Sequence, residues 1–260
     1  MSSLVCHSVG KRWQAPQGLA VEALRDVSLS VSSGEFVAIL GPSGCGKSTL
    51  LELIAGLEPA ARGEILIDGE RVTGPNPKAV MVFQEHSLFP WLSVTDNVAF
   101  GLKMKGVAPD ERRARVREVL RRVRLEPFAH HYPHQLSGGM KQRVAIARAL
   151  VGNPEFILMD EPFAALDFQT RVLMQQFLLE VWRDFSSTIL FVTHQIDEAI
   201  LLSDRVVVMS AGPGRVLEEV AIDLPRPRSY TSSGFNDYRV RLTAHMEREV
   251  MRAQPEALAA

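Results

Sequence analysis

Cysteine is scarce in this chain: Cys6 and Cys45 are the only two in 260 residues. So few thiols offer no disulfide framework, and a reducing compartment such as the cytosol fits the count. Charge of one sign is missing as well, since 29 Lys and Arg face 30 Asp and Glu for a formal net charge of −1. That balance removes the electrostatic case for nucleic acid as the main partner. Long apolar runs are absent. Stretches such as Phe156–Met159 and Val206–Met209 are strand-sized, far short of the roughly 20 residues that cross a bilayer, so any membrane span has to come from another chain. Met1 to Gly10 shows no basic stretch followed by an apolar one, and no secretion signal is expected. Internal repeats and low-complexity segments are lacking too. What is present, 46% hydrophobic and 23% charged residues, is ordinary for a soluble globular protein with one substantial core.

Short β-branched runs alternate with longer helical patterns, which predicts an α/β core around a largely parallel sheet. The expected strands are Phe36–Leu40, Val80–Phe83, Phe156–Met159, Ile189–Val192 and Val206–Met209. The region from about 88 to 136 reads differently, as a small helical subdomain inserted in that core. From Pro109 to Leu125 apolar residues recur at Val116, Val119, Leu120 and Val123, the spacing of one helix face. The opposite face carries Arg112, Arg113, Arg115, Arg117, Arg121 and Arg122, interrupted by Glu111 and Glu118 and without aromatics for base stacking. This is the pattern of a solvated face rather than a nucleic-acid contact. After about Pro225 a Pro-Arg-Pro-Arg stretch and a helical run, Phe235–Ala253, are expected to form an appendage.

The strand Phe36–Leu40 leads into Gly41-Pro42-Ser43-Gly44-Cys45-Gly46-Lys47-Ser48-Thr49, which fits G-x-x-x-x-G-K-[ST], and a helical run, Leu50–Ile54, follows. Glycines let backbone N–H groups converge on phosphate oxygens, and the new helix aims its positive dipole end at the anion. Lys47 is expected to reach the β- and γ-phosphates of ATP, and Ser48 to ligate Mg²⁺. Cys45, inside the loop, is read as a small filler that would make ATP binding sensitive to thiol alkylation.

A second apolar strand closes on Asp160-Glu161. Asp160 at the strand end suits Mg²⁺, and Glu161 is placed to act as general base toward the attacking water. Upstream, Leu136-Ser137-Gly138-Gly139-Met140-Lys141-Gln142-Arg143 opens another helical run, Val144–Val151. Ser-Gly-Gly at a helix start presents free N–H groups, a hydroxyl and the dipole, though serine there is also an ordinary cap. Two phosphate-type helix starts exceed what one nucleotide needs from a monomer. The surplus suggests that Ser137 caps the nucleotide of a second subunit.

These residues together resemble the ATP-binding cassette (ABC) ATPases, with Leu136–Arg143 as the signature motif. The other family elements follow in the family's order: Gln84 matches the Q-loop glutamine, Ala165-Leu166-Asp167 the D-loop, and His194 the switch histidine. Trp13 stands where the family has an adenine-stacking aromatic, more often tyrosine. The resemblance, spanning roughly Leu4 to Arg228, implies a P-loop NTPase core with a mainly parallel sheet, an antiparallel β subdomain and an inserted helical subdomain. It divides the chain into residues 1–228, with the helical subdomain at about 88–150, and a short helical tail at 229–260. It further implies a head-to-tail dimer sandwiching two ATP molecules. Trp13, Gly41 to Thr49, Gln84, Asp160, Glu161 and His194 would come from one subunit, and Ser137, Gly138 and Gly139 from the other. Gln84 joins Ser48 and Asp160 as a metal ligand, and Glu161 and His194 as a catalytic group. His130, His131 and His134 cluster without a matching acidic or cysteine set, and no metal is expected there.

Repair and chromosome-maintenance relatives carry a long coiled-coil insertion between the phosphate loop and the signature, which Thr49 to Leu136 is too short to hold. Translation-factor relatives carry two cassettes in one chain. The pattern left is a stand-alone cassette serving separate membrane permeases, peripheral on the cytoplasmic face of the inner membrane and linked indirectly to an extracytoplasmic solute-binding protein. Phe83 to Leu92, Asp96-Asn97-Val98, Asp197-Glu198-Ala199 and Leu224 to Arg228 are similar to cassettes of the nitrate/sulfonate/taurine uptake family. In that family the segment after Gln84 helps form a groove for a short helix of the membrane subunit. Phe89, Pro90 and Trp91 are therefore expected to dock it.

Overall fold

The computed structural model describes residues 3–14, 20–185 and 187–257. The apolar runs become the centre of a six-stranded sheet: β3 (Phe36–Leu40), β6 (Ala79–Val82), β7 (Phe156–Asp160), β8 (Thr188–Thr193), β9 (Arg205–Met209) and β10 (Val216–Ala221). Their order is β10-β9-β3-β8-β7-β6, parallel throughout except for the β9–β10 pair. β3 is buried at all of its positions because the sheet is covered on both faces. Phe36, Ala38 and Leu40 enter one hydrophobic cluster, whereas Val37 and Ile39 enter the other, as the period of two requires. β6 ends before Phe83, which is 40% exposed.

A second sheet is antiparallel, in the order β2-β1-β4-β5, from β1 (Ser3–Gln14), β2 (Ala20–Ser32), β4 (Arg62–Ile67) and β5 (Glu70–Arg71). Between the two sheets lies α1 (Lys47–Ile54). Its Leu50, Leu51, Leu53 and Ile54 pack with Leu4, Val9 and Leu24 of one sheet and with Phe156, Leu158 and Leu190 of the other. The helix that begins at the phosphate loop is thus gripped along its length. Each fully buried aliphatic side chain of this kind is worth about 1.5–3 kcal/mol.

The helical region comprises α2 (Val94–Met104), α3 (Pro109–Arg122) and the start of α4 (Gly138–Leu150). α2 begins at Ser93, whose hydroxyl accepts the Asp96 N–H at 3.1 Å. α3 begins with Pro109 and places Asp110 and Glu111 in its first turn and Arg121 and Arg122 in its last, complementing the helix dipole at both ends. Val116, Val119 and Leu120 are buried. The arginine face is laced by intrahelical pairs: Arg113–Asp110, Arg115–Glu111, and Arg121 and Arg122 with Glu118. α4 bridges this region and the sheet, since its Val144, Ile146 and Leu150 share a cluster with Val98, Val116 and Ile157.

Two helices complete that face of the sheet, α5 (Phe168–Phe185) and α6 (Ile196–Leu202). The tail forms α7 (Ser233–Ala257), longer than the expected run. It is helical as expected, but it is packed into the core rather than appended to it. Phe235 and Leu242 are fully buried in the main cluster, and Glu249 accepts the Ala211 N–H at 3.0 Å. Arg226 and Arg228 fasten the approach. Arg226 pairs with Asp204 at 2.5 Å and lies over the Trp182 ring, while Arg228 donates to the carbonyls of Ile200, Ser203, Ile222 and Leu224. Among the described residues no helix is long and apolar enough to cross a membrane.

Candidate functional site

The C-terminal ends of β3, β7 and β8 converge on a cleft of about 860 Å³, the edge at which open α/β sheets carry ligands. Of the loop Gly41–Gly46, Ser43, Gly44 and Gly46 line the cleft, while Gly41, Pro42 and Cys45 lie behind them. Gly46, φ 93°, caps α1 in the left-handed region, and a Cβ there would stand 2.7 Å from Ala23 O and from Leu24 Cδ2. Only glycine meets both demands. α1 has no side-chain cap and no acidic residue in its first turn, so its leading N–H groups are left for a ligand. Lys47 is buried, and its ammonium donates to Gly41 O and Pro42 O at 2.9 Å each. A cation held by neutral carbonyls beside a helix N-terminus is an anion site.

Cys45 departs from its expected reactivity. The thiol is fully buried, a Cβ on Gly41 would meet its sulfur at 2.7 Å, and burial pushes its pKa up. A protonated, enclosed thiol is a poor nucleophile, so alkylating reagents reach it only when the loop opens.

Asp160 ends β7, and its carboxyl is raised from the ordinary range by burial, with an opposing hydrogen bond from the Ser48 hydroxyl. Two hard oxygen donors near each other at the mouth of a phosphate loop fit Mg²⁺. Glu161 follows with φ 43°, a left-handed backbone for a residue with a side chain, which costs on the order of 1–3 kcal/mol. Its N–H is fixed to Val192 O at 3.0 Å. Its carboxylate oxygen Oε2 lies 2.9 Å from His194 Nδ1, just past β8. Gln84 lines the same cleft as Glu161, together with Ser43, Gly44, Ser48 and Thr49.

Trp13 and its cross-strand partner Val21 form one wall, with the Lys11 ammonium 4.4 Å from the Trp13 ring centroid. Sequence reasoning missed the rest of the rim: Glu22, Ala23, Gly212 and Pro213. The 210–214 turn is locked to β2 by Arg25 N–H to Gly214 O and Gly214 N–H to Ala23 O. A Cβ on Gly214 would sit 2.0 Å from Cys45 O. The Gly-Pro-Gly run was the available signal for such a close approach.

Ser137, Gly138 and Gly139 are not brought to this cleft. Ser137 caps α4, accepting the Met140 N–H at 3.3 Å. A Cβ on Gly139 would meet Thr170 Cγ2 at 2.8 Å, so glycine lets α4 close on α5. A second groove of about 790 Å³ adjoins the cleft, lined by Gln84, Glu85, His86, Pro90, His134 and Lys141 among others. Gln84 belongs to both. The segment beside the groove is pinned by Asn97, which is fully buried and donates to the carbonyls of Phe89, Leu92 and Ser93 while accepting the Phe89 N–H. Arg148 of α4 holds the carbonyls of His86 and Ser87. The Trp91 ring lies 5.7 Å from the Phe89 ring, which packs on Phe100 of α2, yet Trp91 is 71% exposed, so most of its surface is left outside the helical region. His131 sits edge-on to Phe128 and His134 stacks on Tyr132.

Residues 24–164 match the protein family described as ABC transporter. An uncharacterized ABC transporter ATP-binding protein of Methanocaldococcus jannaschii is 50% identical, over 91% of this chain and 88% of its own. An aliphatic sulfonates import ATP-binding protein of Bacillus cereus is 47% identical, over 91% of this chain and 93% of its own. A taurine import ATP-binding protein of Burkholderia thailandensis is 48% identical, over 87% and 86%. Among solved structures, the dimeric ATP-binding cassette MJ0796 in a post-hydrolysis state with ADP and Pi superposes with a TM-score of 0.74. It is 36% identical, covering 85% of this chain and all of that one.

Proposed function

The chain belongs to the ABC transporter family of ATP-hydrolysing cassettes, and from that premise we propose that it powers uptake of a small anion through separate permease subunits. Import ATP-binding proteins for aliphatic sulfonates and for taurine resemble it over most of their lengths. Taurine is itself a sulfonate, which favours sulfonate-bearing solutes over nitrate within the expected class. A solute-binding protein outside the membrane would deliver the cargo, and the cassette would work peripherally at the cytoplasmic face.

The observation that carries the hydrolytic reading is the Glu161–His194 contact at 2.9 Å on the rim of the cleft that Lys47 and Ser48 line. Lys47 exchanges its two loop carbonyls for phosphate oxygens, and the free N–H groups of α1 add donors that cost no reorganisation. Ser48, Asp160 and Gln84 would hold Mg²⁺, which supplies charge neutralisation on the β- and γ-phosphates when bound. Glu161 takes the proton of the attacking water. His194, engaged through Nδ1, has its other ring nitrogen left for the γ-phosphate. Trp13 offers a face to the adenine.

Half of the donor set is elsewhere. Ser137, Gly138 and Gly139 start a helix away from the cleft in their own chain, which supports a head-to-tail dimer in which they cap the partner's nucleotide. Hydrolysis removes the bridging anion and lets the pair reopen. Phe89, Pro90 and Trp91 beside the second groove would receive the permease helix. The decisive test reconstitutes the cassette with its permeases in vesicles. ATP hydrolysis there is expected to rise with a binding protein loaded with taurine or an alkanesulfonate. Stimulation by a nitrate-loaded protein alone would overturn the sulfonate assignment.

A further inference from the structure

His194 stands on a short peptide whose two neighbours are held by a buried polar chain that the hydrolytic chemistry does not use. Before it, the Thr193 hydroxyl donates to Glu198 Oε2 at 2.7 Å and accepts the Gln195 N–H at 3.0 Å. Behind it, the Gln195 side-chain oxygen accepts from Arg171 at 2.9 Å, and the same guanidinium holds Leu166 O in the Ala165–Asp167 turn at 3.0 Å. Glu198 is 4% exposed, and its second oxygen accepts from Gln175 Nε2 at 3.2 Å. Gln175, 2% exposed, in turn accepts the Tyr230 hydroxyl at 2.8 Å. Tyr230 lies in the approach to α7, its ring edge-on to the buried Phe235. A cavity of about 300 Å³ bounded by Phe168, Arg171, Gln195, Tyr230 and Arg239 leaves this chain room to shift when one member is lost.

A buried carboxylate and amide in series are costly unless every partner is present. Packing alone does not call for them here, because Phe235 and Leu242 already bury the tail. What the series does accomplish is to connect Tyr230 of the tail, through Gln175 and Glu198, to the residue preceding His194. We propose that Tyr230, Gln175 and Glu198 are positioning residues for His194, so that the C-terminal tail sets the hydrolytic rate. The inference rests on the assignment of His194 to the catalytic centre. Without the Tyr230 hydroxyl, Gln175 Oε1 is a buried acceptor with no donor. Its amide turns to find one, Glu198 loses its second hydrogen bond, and the Thr193–Gln195 peptide relaxes. A displacement of well under 1 Å at the imidazole is enough to slow phosphoryl transfer severalfold.

The test uses the full-length chain as parent, Tyr230→Phe, His194→Ala and the double variant, with steady-state ATP hydrolysis and thermal melts. Tyr230→Phe is expected to lower kcat about 5-fold with KM for ATP within about 2-fold, and to move the Tm by less than about 4 °C. In the His194→Ala background the same substitution is expected to add nothing. Glu198→Gln, a single hydrogen bond from Thr193, is expected to cost about 10-fold in kcat. If turnover in the His194→Ala background is too slow to count, the imidazole resonances of His194, assigned by their absence from His194→Ala, are read instead. They shift in Tyr230→Phe if the series positions the ring and stay in place if it does not. Unchanged kcat in Tyr230→Phe, an equal loss in both backgrounds, or a loss confined to KM overturns the inference alone. Full turnover by His194→Ala overturns the inference together with the catalytic assignment.

Discussion

The cleft and the helical region hold their functional groups by opposite means. Around the cleft, position comes from backbone: β3, β7 and β8 end together, Glu161 N–H is bonded to Val192 O, and Gly46 fits only as glycine. In the helical region, position comes from side chains that reach back to carbonyls, Asn97 for residues 89 to 93 and Arg148 for residues 86 and 87. A strand end is repeatable to a fraction of an ångström and resists deformation, which suits a reaction with one geometry. A loop hung on one amide can tilt as a unit, which suits a surface that meets a moving partner.

The contrast can be broken most severely at the proposed base. Glu161→Gln is expected to lower kcat by about 10²–10⁴-fold while equilibrium binding of ATP survives. Turnover near the parental rate would remove the assignment of Glu161 as base. Dimer dependence comes next: specific activity is expected to climb with protein concentration at low concentration, and a proven monomer with concentration-independent specific activity refutes the shared site. In the helical region, Asn97→Ala leaves several buried backbone groups short of a partner. A loss of about 2–4 kcal/mol in urea unfolding is expected, with a loss under 1 kcal/mol showing that the segment is held otherwise. Trp91→Ala sharpens the comparison, since an exposed ring gives up little on removal. Its Tm is expected to stay within about 2 °C of the parent while vesicle-coupled stimulation falls.

The smallest effect concerns Asp160. Its folded pKa is raised above that of the unfolded chain by burial, so the native state binds the proton more tightly. Stability is therefore greatest below the unfolded carboxylate value and declines as pH rises through the folded one. Asp160→Asn is expected to raise the nucleotide-free Tm at neutral pH by no more than about 3 °C, solvent screening taken into account, and to do nothing below the carboxylate range. A Tm gain that persists in acid would show another cause. On the proposed role of Asp160 the same change would also remove a donor for Mg²⁺, which would make the site an instance of stability given up for function.

The parallel sheet was legible because doubly covered strands read as unbroken apolar runs, and β3 and β6 to β9 fell within a residue or two of expectation. α3 was legible from the 3.6-residue spacing of Val116, Val119 and Leu120. β1 and β2 gave no residue-level signal: bulges between Cys6 and Lys11 and left-handed residues at Ser8 and Asp26 break the alternation. Their sheet followed only from family resemblance. The tail misled for a related reason. Pro225 and Pro227 read as turn chemistry, whereas the arginines between and after them bond to six carbonyl and carboxylate partners of the core. Within the cleft, motif residues were readable because loop chemistry is local. Glu22, Ala23, Gly212 and Pro213 were not, because they arrive from two distant hairpin segments.

If Glu161 and His194 act as proposed, the left-handed turn at Glu161 makes hydrolysis depend on strand alignment. Asp160 pairs with Val192 in the β7–β8 register, and His194 follows two residues later. The separation between Glu161 and His194 is therefore inherited from how Leu158 seats against Leu190, deep in the sheet. Sliding β8 by one residue would carry the imidazole about 3.3 Å and turn alternate side chains to the wrong face. Repacking at Leu190 would then be a tuning screw for ATP turnover, turned from deep within the sheet.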